Sequence, residues 1–147
     1  MGKIIAVVNQ KGGVGKTTSA VNLTAALTEL GLKVLLCDFD PQANATSGMG
    51  LDKRKIKYSI YDVTINNIPA EQAVVKTKFG DVLPSAADLA GATVELIAAP
   101  NRERVLEQAL APLKDQYDLI FIDCPPSLEM LTLNGLCASD GILVPVQ

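Results

Sequence analysis

The segment N-Q-K-G-G-V-G-K-T-T, residues 9–18, constrains the fold of this 147-residue chain more than any other stretch. It follows a short apolar run at residues 4–8 and precedes a segment with the apolar spacing of a helix. Glycines let a loop turn sharply and bring its backbone N–H groups close to an anion. The N-terminus of the following helix adds partial positive charge at the same place. The order strand, glycine-rich loop, helix therefore predicts a phosphate-binding loop, with a chance glycine-rich turn as the alternative.

Two side chains at the end of this loop have the chemistry to contact a nucleotide and its metal. Lys16 supplies a positive charge for the outer phosphates, and the Thr17 hydroxyl is placed to ligate Mg²⁺. The match to G-x-x-x-x-G-K-[S/T] is imperfect, because Gln10 occupies the first glycine position and a second lysine, Lys11, lies inside the loop. The string K-G-G-V-G-K-T is the deviant form of the Walker A motif.

Apolar runs alternate with segments of helical spacing along the whole chain. Continuous apolar runs are typical of strands buried on both faces of a parallel sheet. We predict strands at residues 3–8, 34–39, 82–84, 117–124 and 142–146, and helices at residues 16–30, 71–76, 85–99, 102–114 and 127–138, while residues 58–63 fit either a short helix or a strand. The chain is predicted to be one α/β domain, residues 1–147: a P-loop NTPase-type parallel sheet with helices on both faces.

Several local features refine these boundaries. Gly31 is predicted to end the first helix in a left-handed cap, after an apolar stripe that includes Leu30. Asn44 or Thr46 is a candidate N-cap for a short helix. Pro112 is expected to end or kink the helix that contains it.

Three aspartates follow apolar runs. Asp38 and Asp40 lie in D-F-D-P-Q after the second strand, and Asp123 ends L-I-F-I-D, a Walker B pattern. Ligands of open α/β sheets bind at the carboxyl ends of the strands, where Asp123 holds Mg²⁺ directly or through water. The plainer interpretations are that Asp38 and Asp123 only end strands and that Asp40 is structural.

Composition excludes several classes of protein. With a net charge of −3, the chain lacks the overall basic character that is typical of a nucleic-acid-binding protein. No apolar run approaches the roughly 18 residues that a membrane span needs. The N-terminus is too polar for a signal peptide, so a cytoplasmic protein with no membrane contact is expected. Cys37, Cys124 and Cys137 form no C-x-x-C pair and are interpreted as reduced core thiols rather than redox or metal ligands.

One local stretch departs from the acidic character of the chain. Lys53, Arg54, Lys55 and Lys57 fall within L-D-K-R-K-I-K. A solvated loop is one interpretation, and a contact for DNA or an acidic partner is the other.

Taken in order, N-Q-K-G-G-V-G-K-T-T, D-F-D-P-Q-A-N-A-T-S-G, G-A-T-V-E-L, D-L-I-F-I-D-C-P-P-S and L-V-P-V-Q resemble the ParA/Soj family of partition ATPases. MinD and the nitrogenase iron protein, which share the deviant Walker A motif, usually carry glycine where this chain has Gln10. The iron protein also needs cluster cysteines, and the surroundings of Cys124 and Cys137 do not match them.

The resemblance implies roles for individual residues. Lys11 would reach across a dimer interface to the partner's nucleotide, although a phosphate contact in cis is the alternative. Asp40 would position the attacking water, and Lys16 would contact the β- and γ-phosphates. Asp38 and Asp123 would hold Mg²⁺ together with Thr17. The nucleotide-binding residues implied are Lys11, Gly12, Gly13, Val14, Gly15, Lys16, Thr17 and Thr18.

The resemblance also implies a function. ATP and Mg²⁺ would drive formation of a homodimer that binds DNA nonspecifically, through residues not in this chain, and a ParB-like protein would stimulate hydrolysis. The expected role is plasmid or chromosome partitioning, with association to the nucleoid. The alternatives are a spatial organiser of a protein cargo without DNA binding, an electron-transfer ATPase, and an inactive remnant. The chain resembles the N-terminal part of the family, so marginal stability and self-association are expected.

Overall fold

The fold is built on a six-stranded sheet. The computed structural model describes residues 2–8, 16–125 and 130–145, and the side chain of Lys16 is not described. The strands are β1 Lys3–Val7, β2 Val34–Asp38, β3 Val75–Thr77, β4 Gly80–Leu83, β5 Leu119–Asp123 and β6 Gly141–Leu143. Their spatial order is β3-β4-β2-β5-β1-β6, and all pairs are parallel except β3 with β4.

Helices connect the strands. The α-helices of the described residues are α1 Lys16–Glu29, α2 Asn44–Gly48, α3 Ile60–Ile65, α4 Ala70–Ala73, α5 Ala92–Ile97, α6 Val105–Leu110 and α7 Met130–Ala138. Short 3-10 helices occur at Lys53–Lys55, Ala87–Gly91, Arg102–Arg104 and Ala111–Gln116. The prediction of an α/β fold with a parallel sheet covered by helices on both faces is confirmed, except that β3 pairs antiparallel with β4.

Two apolar cores lie on opposite faces of the sheet, because successive side chains of a strand alternate between faces. Leu36 and Phe121 pack toward α1 and α2, with Ala20 and Ala45 among their buried neighbours. The other face packs against α3 to α7. Its buried residues include Leu35, Cys37, Ile120, Ile122, Ile60, Leu96, Leu106, Leu110 and Leu131. Burying each such aliphatic side chain contributes about 1.5–3 kcal/mol, so these cores fix the strand register.

The cap of α1 is the one that the sequence predicts. Gly31 has φ 94°, which a residue with a Cβ adopts only with strain. Its N–H donates to the Thr28 carbonyl and the Leu32 N–H donates to the Leu27 carbonyl, the two bonds of a Schellman motif. The prediction that Leu30 belongs to the apolar stripe of α1 is wrong, because this residue follows the end of the helix and is 78% exposed.

The hairpin of β3 and β4 corrects the prediction of a helix over residues 71–76. Helix α4 ends at Ala73, and Val75 lies in β3 opposite Val82. The Thr77 hydroxyl donates to the Gly80 carbonyl and accepts from the Phe79 N–H, which closes the turn. This side-chain turn lets β3 pair antiparallel with β4, and the pairing overrides the helical propensity of the preceding residues.

Neither Asn44 nor Thr46 is the N-cap of α2. The cap is Ala43, with φ 57° and no capping side-chain bond. Asn44 is already helical, and the Thr46 hydroxyl is bound to Asp38 instead. Helix α3, by contrast, begins with the capping box of Ser59 and Asp62, so the segment predicted as a helix or a strand is helical from Ile60 onward.

The later helices are shorter and more irregular than predicted. Residues 85–99 divide into the 3-10 helix Ala87–Gly91 and α5, and residues 102–114 divide into α6 and two 3-10 helices. Helix α6 ends at Leu110, just before Pro112, as expected for a residue that cannot donate a helical hydrogen bond. Residues 127–129 of the predicted last helix and residue 146 of the predicted last strand lie outside the described residues.

Cys37 and Cys124 are buried and Cys137 is half-buried, and none forms a disulfide. The burial of Cys37 and Cys124 agrees with their interpretation as core residues. Among the described residues, no helix has both the length and the apolar character required to cross a membrane.

Asp140 fastens the start of β6 to β1. Its Oδ2 accepts from the Ile4 N–H at 2.9 Å, and this bond together with Lys114 lowers the pKa of the carboxyl. We expect Asp140→Ala to lower the free energy of unfolding by about 1 kcal/mol at neutral pH, because the bond from the Ile4 N–H and the exposed ion pair with Lys114 are both lost. Because the folded pKa is lowered, this stabilisation is present above the ordinary aspartate pKa and disappears as the pH falls through the folded value.

Urea unfolding at several pH values checks this. Asp115→Ala is the matched control, since Asp115 is exposed and has no hydrogen bond or ion pair among the described residues. An equal loss in both variants would contradict the role of Asp140.

Candidate functional site

The carboxyl ends of three adjacent strands form the candidate site. Asp123 at the end of β5 lies in register with Asp38 of β2 on one side and Val7 of β1 on the other. Residues in register on parallel strands share a face, so both carboxylates project to the side that carries α1. Leu36 and Phe121, two residues earlier, pack into the core on that side. The period of the strands thus directs both aspartates toward the start of α1.

The first turn of α1 contacts this pair. The Thr17 hydroxyl donates to Asp123 Oδ2 at 3.1 Å, across 106 positions of sequence. Asp123 is fully buried. The hydroxyl of the loop motif and the carboxylate of the Walker B pattern therefore meet at hydrogen-bond distance, and their roles toward Mg²⁺ stay predictions.

Asp38 is buried and accepts three hydrogen bonds. Oδ2 accepts from the Thr46 N–H at 2.8 Å and from its hydroxyl at 2.7 Å, and Oδ1 accepts from the Asp40 N–H at 3.2 Å. Burial, followed by the neighbouring Asp123 carboxylate, raises the pKa of Asp38 to about 7, although the Thr46 bonds oppose this. Two buried carboxylates side by side store repulsion that a nearby cation relieves.

Asp40 lies in the turn that follows β2 and is 6% exposed. Its Oδ1 accepts from the Gln42 N–H at 3.0 Å, and its carbonyl accepts from the Ser85 hydroxyl at 2.7 Å. The side chain is thus held in place beside Asp38 by its own backbone turn. Its predicted role toward water stays a prediction.

Thr46 and Ser85 belong to the site but were not predicted from the sequence. The Thr46 hydroxyl, which donates to Asp38, accepts in turn from the Ser85 N–H at 3.0 Å. Both residues are fully buried. Ser85 follows β4, and only the pairing of β4 with β2 brings it here. The position of Ser85 just after a strand was the available sequence signal. That signal identifies a site residue only once the order of the strands in the sheet is known.

The structure brings together Thr17, Asp38, Asp40 and Asp123 among the predicted site residues. Thr18 is exposed on α1. Lys16 begins α1, and its side chain lies outside the described residues, as do Lys11, Gly12, Gly13, Val14 and Gly15.

The described donor set fits a magnesium ion that is held largely by phosphate and water. Thr17 and Asp123 offer hard oxygen ligands, which Mg²⁺ prefers, and Asp38 adds charge nearby. No group of three or more His, Cys, Asp or Glu among the described residues forms a complete metal site. Mg²⁺ commonly binds through one or two protein oxygens plus substrate phosphates, so a fuller protein cage is not required.

Comparisons with known proteins agree with this arrangement. A family model described as an AAA domain matches residues 2–147. The sporulation initiation inhibitor protein Soj of Bacillus subtilis is 50% identical over 149 residues, an alignment that covers all of this chain and 59% of Soj. The chromosome partitioning protein ParA of Myxococcus xanthus is 48% identical, again over all of this chain and 53% of its own length.

A solved structure is also similar to this chain. The Mycobacterium smegmatis protein described as cobyrinic acid a,c-diamide synthase, with bound ATP analogue and magnesium, superposes with a TM-score of 0.95 at 44% identity. The match covers all of this chain and 61% of that one. The chain thus spans little more than half the length of the curated relatives that it matches.

Proposed function

Because this chain belongs to the AAA domain family, in its ParA/Soj group, we propose that it binds and hydrolyses Mg·ATP as a partition ATPase. In this proposal ATP binding drives a sandwich homodimer, the dimer binds DNA nonspecifically, and a ParB-like protein stimulates hydrolysis. The output is plasmid or chromosome partitioning.

The contact between Thr17 and Asp123 is the observation that carries the proposal. It joins the end of the phosphate-binding motif to the end of the central strand β5 at 3.1 Å. Phosphoryl transfer needs positioned charge more than it needs covalent chemistry, and these two oxygens define where the charge is positioned. The neighbouring Asp38 and Asp40 lie on the same edge of the sheet.

Five residues of the candidate site have a role in the proposed mechanism. Thr17 and Asp123 would hold the metal, while Lys16 would orient the outer phosphates. Mg²⁺, when bound, neutralises charge that develops on the transferred phosphoryl group. Asp40 would orient the attacking water. Asp38 holds the turn that carries Asp40, because its Oδ1 accepts a hydrogen bond from the Asp40 N–H. No residue is required as a covalent nucleophile.

Lys11 is assigned the role of a charge supplied in trans. We expect Lys11→Ala to abolish ATP-dependent dimerisation of the intact protein while leaving ATP binding to the monomer within a few-fold of wild type. Sedimentation velocity with and without Mg·ATP measures the dimer. Lys33→Ala, which removes an exposed lysine at the opposite edge of the sheet, is the matched control.

The outcomes of that experiment separate the possibilities. A monomeric Lys11→Ala variant beside a dimeric control supports the trans role. Dimerisation retained without Lys11 shows that the lysine acts in cis, or that the dimer has another origin. Failure of the wild type to bind ATP at all would overturn the proposed function itself.

The DNA and ParB-like partners are tested by stimulation of turnover. Hydrolysis that rises when duplex DNA and the partner are added together supports a partition ATPase. An ATP-dependent dimer with no affinity for DNA favours the spatial organiser of a protein cargo. The M. smegmatis relative carries the name of a synthase, so a requirement for an organic co-substrate during turnover would favour a ligase-type activity instead.

A further inference from the structure

The basic segment 53–57 lies on the same edge of the sheet as the candidate site. Lys53–Lys55 form an exposed 3-10 turn capped by Asp52, whose side chain accepts from the Arg54 N–H. Lys53 Nζ donates to the carbonyl of Gln42, two residues after Asp40, at 3.2 Å. This bond places the segment against the turn that leaves β2. The charges of the segment therefore lie beside the edge of the sheet that carries the candidate site.

Three cations of the segment are available to a partner. Lys53, Lys55 and Lys57 are exposed, and none forms an ion pair among the residues that the structure describes. Arg54 is different, because its guanidinium is bound to the Asp52 carboxylate, with Nε at 3.2 Å from Oδ1. Asp52 therefore offsets Arg54, and the segment presents three uncompensated positive charges on a chain whose net charge is −3.

The surroundings of the segment distinguish between kinds of partner. Protein interfaces are anchored by buried aromatic and aliphatic side chains, and lysine is depleted from them. The large exposed apolar side chains of the described residues are Leu30, Leu32, Phe79, Val94, Ile97, Leu133, Ile142 and Val144. None belongs to the segment or to its flanking residues. Phosphate backbones, in contrast, are held by lysine and arginine without apolar anchors.

The spacing also fits a phosphate backbone. Five residues in a turn or an extended chain span roughly 8–14 Å, at about 2.0 to 3.5 Å per residue. Phosphates of one DNA strand follow one another at about 3.4 Å along the helix axis, so the segment faces about three of them. We propose that Lys53, Lys55 and Lys57 form a docking surface for the phosphate backbone of nucleic acid.

This inference deepens the proposed function, because it assigns part of the DNA contact to residues of this chain. Two hydrogen bonds connect the basic segment to the candidate site. Lys53 Nζ donates to the Gln42 carbonyl, and the Gln42 N–H donates to Asp40 Oδ1. A rearrangement of the turn after β2 on ATP binding would therefore move Lys53.

The test is direct binding of duplex DNA by this chain without nucleotide. Fluorescence anisotropy of a labelled 20-base-pair duplex is followed at several salt concentrations between 20 and 100 mM. With three phosphate contacts, the affinity should fall on the order of 50–100-fold over this range. The variant K53Q/K55Q/K57Q should bind at least about tenfold more weakly at 20 mM salt, and its logarithmic salt slope should be smaller by about 2–3.

The chain offers a matched control. Lys33, Lys76 and Lys78 are also exposed, and Lys78 Nζ lies over the Phe79 ring at 5.0 Å just as Lys57 Nζ lies over the Tyr58 ring at 5.3 Å. Lys33 and Lys76 line a cavity of about 760 Å³ that carboxylates also line, namely Asp81, Asp115 and Asp118. K33Q/K76Q/K78Q removes the same charge from this mixed surface, so it should lose far less affinity.

Further variants keep the result interpretable. K53R/K55R/K57R should retain both affinity and salt slope, which separates charge from folding. Equal losses in the two glutamine variants, or an unchanged K53Q/K55Q/K57Q, would overturn the docking surface. Tighter binding of polyglutamate than of DNA at equal charge would assign the segment to an acidic protein instead. ATP binding measured in parallel reports on the proposed function separately, since DNA is titrated without nucleotide.

Discussion

Asp123→Asn is expected to lower the affinity for Mg·ATP by about 100-fold while leaving the affinity for ATP without Mg²⁺ within about twofold. The amide keeps the size of the side chain and can still accept from the Thr17 hydroxyl, but it removes the negative charge at the metal position. A 100-fold loss corresponds to about 2.7 kcal/mol, in the range of a single metal-charge interaction. Calorimetric titration with ATP, with and without Mg²⁺, separates the two affinities.

The stability of this variant makes the result interpretable. The Asp123 charge helps to raise the pKa of Asp38, so its removal relieves a repulsion in the folded protein. The melting temperature of the nucleotide-free variant should therefore not fall. Asp115→Asn, an exposed carboxylate eight positions upstream, is the control and should bind Mg·ATP as the wild type does. Wild-type affinity in Asp123→Asn would exclude a metal role for this carboxylate.

The sequence predicts the central part of this architecture because local patterns there agree with the tertiary structure. A buried parallel strand is apolar along its length, so β1, β2 and β5 are visible without knowledge of their neighbours. Their carboxyl ends share one edge of the sheet, which is why the meeting of Thr17 with Asp123 is predictable from two motifs 106 residues apart.

The parts that sequence reasoning missed depend on contacts between distant segments. Val75 is strand rather than helix because β4 pairs with it, and β4 is only four residues long. Thr46 is a plausible cap by its position, but the buried Asp38 carboxylate takes its hydroxyl. Ser85 reaches the site only because β4 lies next to β2. In each case a tertiary partner, absent from any local window, decides the outcome.

The hydrogen bonds of Thr46 make it the polar residue whose loss should most destabilise the site. Its hydroxyl donates to Asp38 Oδ2 at 2.7 Å and accepts from the Ser85 N–H at 3.0 Å, and all three residues are fully buried. Thr46→Val preserves the shape and the backbone N–H bond to Asp38 Oδ2, but it removes the hydroxyl bond to that oxygen and leaves the buried Ser85 N–H without a partner. A buried amide left unpaired costs about 1–3 kcal/mol and the lost hydroxyl hydrogen bond about 1 kcal/mol more, so the free energy of unfolding should fall by about 2–4 kcal/mol.

Urea unfolding at neutral pH measures this, and two further variants identify the cause. Thr46→Ser keeps the hydroxyl and loses one methyl group, so it should cost only about 1 kcal/mol. Thr93→Val replaces a half-buried threonine of α5 that makes no side-chain hydrogen bond among the described residues, and it should change stability by less than about 0.5 kcal/mol. If Thr46→Val is no more destabilised than Thr93→Val, the hydrogen bonds from Asp38 to Ser85 do not stabilise the turn that carries Asp40. Asp40 would then be held by its other contacts, among them the bond that its Oδ1 accepts from the Gln42 N–H, and Thr46→Val should turn over ATP at the wild-type rate.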